Sequence, residues 1–258
     1  MRSFHVAAAT SLLLVGVVAA PALAHDGGEP EESRQERTAR RGPVVAIADA
    51  RLKFEINATD EDAGIQVFLD ADPWKEMSIF DPDGSLIFTT ATHGSIGEQG
   101  GTELFLESAE PTLAELPLEQ LLERFPEGRY RFRGTGLEGE RYVGSARLTH
   151  DLPDGPTLVS PLEGGSPQDP RDTTVVWEPV DPPNGSPIIG YQVLVVQPET
   201  GITALPKVVL DVMMPPTATT MAVPPGFLLP GTEYEWEVLA IEQGGNQTLS
   251  SSFFTTSG

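Results

Sequence analysis

The sequence predicts an all-β protein: two β-sandwich domains in tandem, with one short helix in the first. Three observations lead there. Gly and Pro number 26 and 24 in 258 residues, which implies frequent turns and short elements rather than long helices. Apolar residues recur with a period of two in short runs separated by turn signals, as half-buried strands require. Hydrophobic residues make up 39% of the chain, too many for a disordered chain and enough for real cores.

The chain opens as a secretory signal peptide, residues 1–24. Arg2 gives a positive start, and Val6 to Ala20 are almost wholly apolar. Pro21-Ala22-Leu23-Ala24 then forms a small-x-small cleavage site. The apolar run is shorter than the ~20 residues of a spanning helix. Export to a secreted or periplasmic location is therefore expected, with no membrane insertion after cleavage. Residues 25–42 (HDGGEPEESRQERTARRG) are dense in both charges and nearly free of apolar groups. They should form a disordered tether.

Residues 43–150 read as the first sandwich. Leu52, Phe54 and Ile56 alternate with Arg51, Lys53 and Glu55, and Ile65, Val67 and Leu69 repeat the pattern. Met77–Phe80, the turn Asp81-Pro82-Asp83-Gly84 and Leu86–Phe88 make a hairpin. Thr102–Leu106 is a further strand. The helix is expected over Leu113–Phe125, where Leu118, Leu121, Leu122 and Phe125 recur at spacings of three and four. Tyr130 and Phe132 alternate with Arg129, Arg131 and Arg133, and Tyr142–Leu148 closes the unit. The segment Phe125–Phe132 resembles a late strand of bacterial immunoglobulin-like modules. Asp151-Leu152-Pro153-Asp154-Gly155-Pro156 reads as a short stiff linker with few obligatory contacts across it.

Residues 156–258 carry a sharper pattern. Val175 and Trp177 give an early strand with a large aromatic, and Ile188–Val195 gives the next. Tyr234, Trp236, Val238 and Ala240 share one face of a third, leaving Glu233, Glu235 and Glu237 towards water. With Leu229-Pro230-Gly231-Thr232-Glu233-Tyr234, this half resembles the fibronectin type III family. The resemblance implies that Trp177 plugs the core and that Leu229, Pro230, Gly231, Thr232 and Tyr234 form a tyrosine corner. Residues 241–247 should be a hairpin loop and Ser251–Thr256 the last strand. Met213-Met214-Pro215-Pro216 departs from the family by making an edge strand irregular.

Composition narrows function by exclusion. The chain has no Cys, so disulfides, thiolate nucleophiles and Cys-ligated zinc or iron–sulfur centres are ruled out. Its formal net charge of −22 opposes binding to nucleic acid and to anionic membranes. Residues 46–150 hold 20 acidic and nine basic side chains, residues 151–258 hold 13 and two, so both halves share the same net charge. Even spreading favours solubility and a monomer.

Individual residues offer weak chemistry. His25 would start the mature chain, where an α-amine and imidazole can hold copper, but only His93 and His150 could complete such a site. His93 and Ser95 sit in a glycine-rich stretch, expected to be a flexible surface loop, without a nucleophile elbow or a phosphate loop. Asp60-Glu61-Asp62, Asp70-Ala71-Asp72 and Asp81-Pro82-Asp83-Gly84 are acidic turns, none with the EF-hand pattern. Arg124, Arg129, Arg131 and Arg133 could grip an anion, yet cross-strand pairing with Glu and Asp is the expected role. No catalytic residue, cofactor or metal site is therefore expected. The reading is a non-enzymatic binding or spacer protein whose partner is a protein or a cell-surface polysaccharide. The alternatives are an accessory glycan-binding protein and a small copper-binding protein using His25.

Overall fold

The computed structural model describes residues 42–258. The expected signal peptide, most of the charged tether and His25 lie outside the described residues. Two β-sandwiches follow in tandem. The first contains β1 (Val44–Ala46), β2 (Asp49–Asn57), β3 (Asp62–Phe80), β4 (Leu86–Ala91), α1 (Gly94–Gln99), β5 (Gly101–Glu107), α2 (Leu118–Arg124), β6 (Gly128–Gly136) and β7 (Arg141–Leu148).

The alternating runs at 65–69 and 77–80 prove to be one long strand, β3. Its first half pairs with β2 and β5, and its second half with β4 and β6. The register shifts around Trp74, beside Pro73, whose missing amide cannot serve a regular ladder. β3 thereby belongs to both layers, and one core lies between them. Leu52, Phe54, Ile65, Val67 and Leu69 meet Met77, Ile79, Tyr130 and Phe132 there.

The helix is shorter than its leucine spacing suggests. α2 begins after Pro117, because a proline disfavours helical geometry in the residue before it. Leu121 is buried, and Leu118, Leu122 and Phe125 pack against the core. A second helix, α1, occupies the stretch read from sequence as a flexible loop. It has no side-chain cap and no buried residue, so it left no apolar period to detect.

The second sandwich contains β8 (Leu158–Ser160), β9 (Thr174–Trp177), β10 (Ile188–Gln197), β11 (Val208–Met214), β12 (Thr220–Ala222), β13 (Glu233–Glu242) and β14 (Gln247–Thr255). A sheet ordered β12-β9-β8 faces the run β14-β13-β10-β11. Trp177, Tyr191, Val193, Tyr234, Trp236 and Val238 fill the space between. The Tyr234 hydroxyl accepts the Leu229 amide at 2.8 Å, the expected tyrosine corner. The Trp177 ring meets Tyr191 edge-on at 5.6 Å, and Trp236 donates its indole N–H to the Pro161 carbonyl at 2.9 Å.

The two sandwiches are not loosely strung. β14 pairs in parallel with β2, Gln247 opposite Glu55 and Leu249 opposite Asn57, so one eleven-stranded sheet runs through both. The linker is built into this seam. A Cβ on Gly155 would lie 2.5 Å from the Ala58 side chain and 2.8 Å from Ser250 Oγ. The expectation of few contacts across the linker thus fails, because a bare α-carbon lets the chain pass between the two units. No helix among the described residues is long and apolar enough to cross a membrane.

Candidate binding groove between the sandwiches

The seam is held by a loop that the sequence presented as an ordinary hairpin turn. Asn246 is 1% exposed. Its Nδ2 donates to the Thr149 carbonyl and hydroxyl at 3.0 Å and to the Asp151 carbonyl at 3.1 Å. Its Oδ1 accepts the Phe54 amide at 3.0 Å. One amide side chain therefore ties β2 to the chain at Thr149 and Asp151. Buried Glu242 supports it by accepting the Asn246 and Gly244 amides and the Ser186 hydroxyl. Thr248 donates to the Pro153 carbonyl at 2.6 Å.

Beside this seam the outer face of the first sandwich carries cross-strand rows. Arg51, Phe68 and Phe105 stand opposite one another on β2, β3 and β5, and Lys53, Gln66 and Glu107 form the next row. The Arg51 guanidinium lies 4.5 Å from the centre of the Phe68 ring and is paired with Asp49 at 2.7 Å. Lys53 donates to Gln247, which in turn donates to Glu55. Burial lowers the Lys53 pKa from its ordinary value.

Where this face turns towards the second sandwich, a solvent-open groove of about 650 Å³ forms. Arg51, Lys53 and Arg147 line it together with Phe68, Phe105, Ile189 and Met213, and no carboxylate does. In a chain with 38 acidic and 16 basic side chains, that lining is a local reversal of sign. The net charge is shared evenly between halves, yet within each half it is patterned.

The opposite sign collects nearby. Glu55, Glu107 and Glu110 offer oxygens within 4.8 Å of one another. Gly64 makes this possible, since a Cβ there would lie 2.8 Å from Glu110 Cγ. Burial first, then Glu107, Glu55 and Asp62, push the Glu110 carboxyl up to about 7. Among the described residues this trio has the geometry that a divalent cation could use, although Gln66 and Gln247 already donate into it. Sequence reading missed it because its members sit on separate segments. The acidic runs it nominated at 70–72 and 81–83 contribute nothing to the trio.

The other nominated residues fall elsewhere. His93 is exposed at the start of α1. His150 directs Nε2 to the Phe125 carbonyl at 2.9 Å and packs its ring against Phe54. The expected arginine–carboxylate pairs are absent among the described residues. Arg129 faces Arg147 in the ladder and donates to Ser145, Arg131 donates to the Pro82 carbonyl, and Arg133 lies over the Phe80 ring. The neighbouring strands simply place no acid opposite them. Glu235 is buried and Glu237 half-buried, rather than facing water. Burial, then Glu235 and Glu55, push Glu237 up to about 7.

Among curated proteins none matches the chain. Solved structures do resemble it. Fibronectin(III)-like modules of CbhA from Clostridium thermocellum align at 12% identity and TM-score 0.32, covering 81% of this chain and 93% of that one. The FN1–FN3 domains of chicken CNTN1 align at 10% identity and TM-score 0.31, covering 84% and 66%. A tetra-tandem repeat from the extending region of a large adhesion protein aligns at 13% identity and TM-score 0.27; the chain spans about half of that structure, covering 81% and 49%. Residues 162–256 match the sequence model of the fibronectin type III domain, and the second sandwich, with Trp177 in its core and Tyr234 at its corner, is a domain of that family.

Proposed function

We propose that the chain is a non-enzymatic, exported binding protein whose two sandwiches act as one unit towards a protein or cell-surface partner. Fibronectin type III domains support a generic binding or spacer role. The observation that carries binding over mere spacing is the groove. A spacer needs end-to-end linkage only, whereas here β14–β2 pairing fixes two modules around a surface whose sign opposes the rest of the chain. Preorganisation of this kind lowers the entropic cost of association.

The glycan-binding alternative is less favoured by the aromatic side chains. All three Trp and all four Tyr are buried, so no indole or phenol is free to stack on a sugar ring. The copper alternative depends on His25 and would need a second histidine; His150 is engaged with Phe125 and Phe54, which leaves only the exposed His93 to complete it. Export rests on Arg2, the apolar run and the cleavage site before His25.

Two measurements test the proposal. Protein recovered outside the cytoplasm should have an intact mass lacking residues 1–24; a full-length, membrane-bound product would end the export part. The mature protein should then be retained saturably on isolated envelopes of the producing cell. Absence of saturable retention would end the cell-surface part.

A further inference from the structure

Resting on that binding reading, we propose that the groove receives an extended, acidic peptide segment with apolar side chains, supplied by a partner protein. Charge complementarity is the first argument. Arg51 and Lys53 are tied to neighbours, but Arg147 has no hydrogen-bond or ion-pair partner among the described residues, and the residue opposite it across β6 and β7 is Arg129. Two like charges placed directly opposite destabilise a sheet. An acidic chain that keeps such a pair at the edge of a carboxylate-free groove presents a cationic patch to an anion.

The second argument is apolar. Phe105, Ile189 and Met213 are 56%, 51% and 63% exposed, and all three line the same groove. Phe68 stands in one cross-strand row between Arg51 and Phe105, so cation and ring succeed each other across the face. An extended peptide directs successive side chains to opposite sides. A peptide with alternating Glu and apolar residues would therefore offer carboxylates to the cations and apolar side chains to Phe105, Ile189 and Met213 at once. A sulfated or carboxylated glycan would satisfy only the charge and leave the apolar groups without a partner. Nucleic acid would be repelled by the net charge of −22.

The test uses residues 25–258 and a fluorescein-labelled peptide of repeating Glu-Leu-Glu-Phe, read by fluorescence anisotropy. The expected result is saturable binding that weakens as NaCl rises to about 0.5 M. Arg147→Glu and Phe105→Ser should each weaken it by about tenfold or more. Both residues are exposed; a cooperative melting transition shows that each variant folds, and Arg147→Glu, which faces Arg129, should melt no lower than the parent. Arg171→Glu, outside the groove, should bind like the parent. Equal binding of a peptide with Lys for Glu, or wild-type binding by Arg147→Glu, would overturn the proposal. So would no binding at all. Full displacement by polygalacturonate, with Phe105→Ser unaffected, would replace the peptide with a polyanionic glycan. Envelope retention separates the two readings. Retention unchanged by Arg147→Glu removes this groove and leaves the binding function standing, whereas peptide binding without any envelope retention removes the cell-surface reading alone.

Discussion

Tyr234 and Trp177 show how two side chains fix a module. The Tyr234 hydroxyl closes a ring to the backbone of Leu229, and Trp177 is 1% exposed within the same core. The first sandwich has a related device, for Tyr130 donates to the Pro126 carbonyl at 3.0 Å. In both segments a proline stands four residues before the tyrosine, and the hydroxyl serves the turn that feeds a central strand. Removing the larger plug should be severe, because a buried aromatic loses transfer energy and leaves a cavity. Trp177→Ala is expected to destabilise by ~3–5 kcal/mol, seen as a lower urea midpoint with little change in slope. An unchanged midpoint would mean that the core is not arranged around this ring. These residues were legible in the sequence because their signal is local: an alternating run, a turn motif and a large aromatic in register.

The seam between β14 and β2 was not legible, for reasons specific to it. Residues 241–247 carry Gly244, Gly245 and Asn246, which read as turn chemistry for a hairpin. Gly245 indeed has a φ of +102°, but Asn246 was placed there to bind Thr149, Asp151 and Phe54. A parallel pairing between strands from opposite ends of the fold leaves no pattern in either strand. The alternation of Glu233, Glu235 and Glu237 misled in part: Glu233 is exposed, but Glu235 is buried, and Glu237 is half-buried where Glu55 and Asp60 of the first sandwich act on it. By contrast the β3–β4 hairpin, with its Asp-Pro-Asp-Gly turn, was read correctly. The seam predicts a particular response to Asn246→Ala. Three carbonyl or hydroxyl acceptors and the Phe54 amide lose a buried partner at once, and each group left unsatisfied costs about 1–3 kcal/mol. The variant should melt at lower temperature, and amide exchange at Phe54 should accelerate more than exchange at Tyr234. Equal protection at Phe54 would show that the side chain does not hold the junction.

At the scale of the whole molecule, charge is the organising quantity. The chain is strongly acidic, but Arg51, Lys53 and Arg147 line the groove without a carboxylate among its lining residues, while Glu55, Glu110 and Glu237 are crowded near the seam. All three have pKa values raised above the ordinary carboxylate range, each chiefly by burial. Neighbouring acids add to this: Glu107 acts on Glu55 and Glu110, and Glu55 acts on both Glu110 and Glu237. Lys53 and Lys207 oppose it in part. The sign of the consequence follows from linkage. A carboxyl whose pKa is higher in the folded state than in the unfolded one binds its proton more tightly when folded. Its stabilising contribution is fully present below the unfolded value, near 4.5, and is lost as pH rises through the folded value, near 7 for Glu110 and Glu237. The protein should therefore melt at a higher temperature at about pH 5.5 than at about pH 8, at constant ionic strength. Glu110→Gln and Glu237→Gln remove the ionisation while keeping the shape of the side chain. Each should raise the melting temperature at about pH 8 relative to the parent and flatten the pH profile, and the double variant should flatten it further. Groups buried as anions held by donors would give the reverse slope, with stability falling towards pH 5.5, and that outcome would show that the carboxylates at the seam attract their neighbours more than they repel one another.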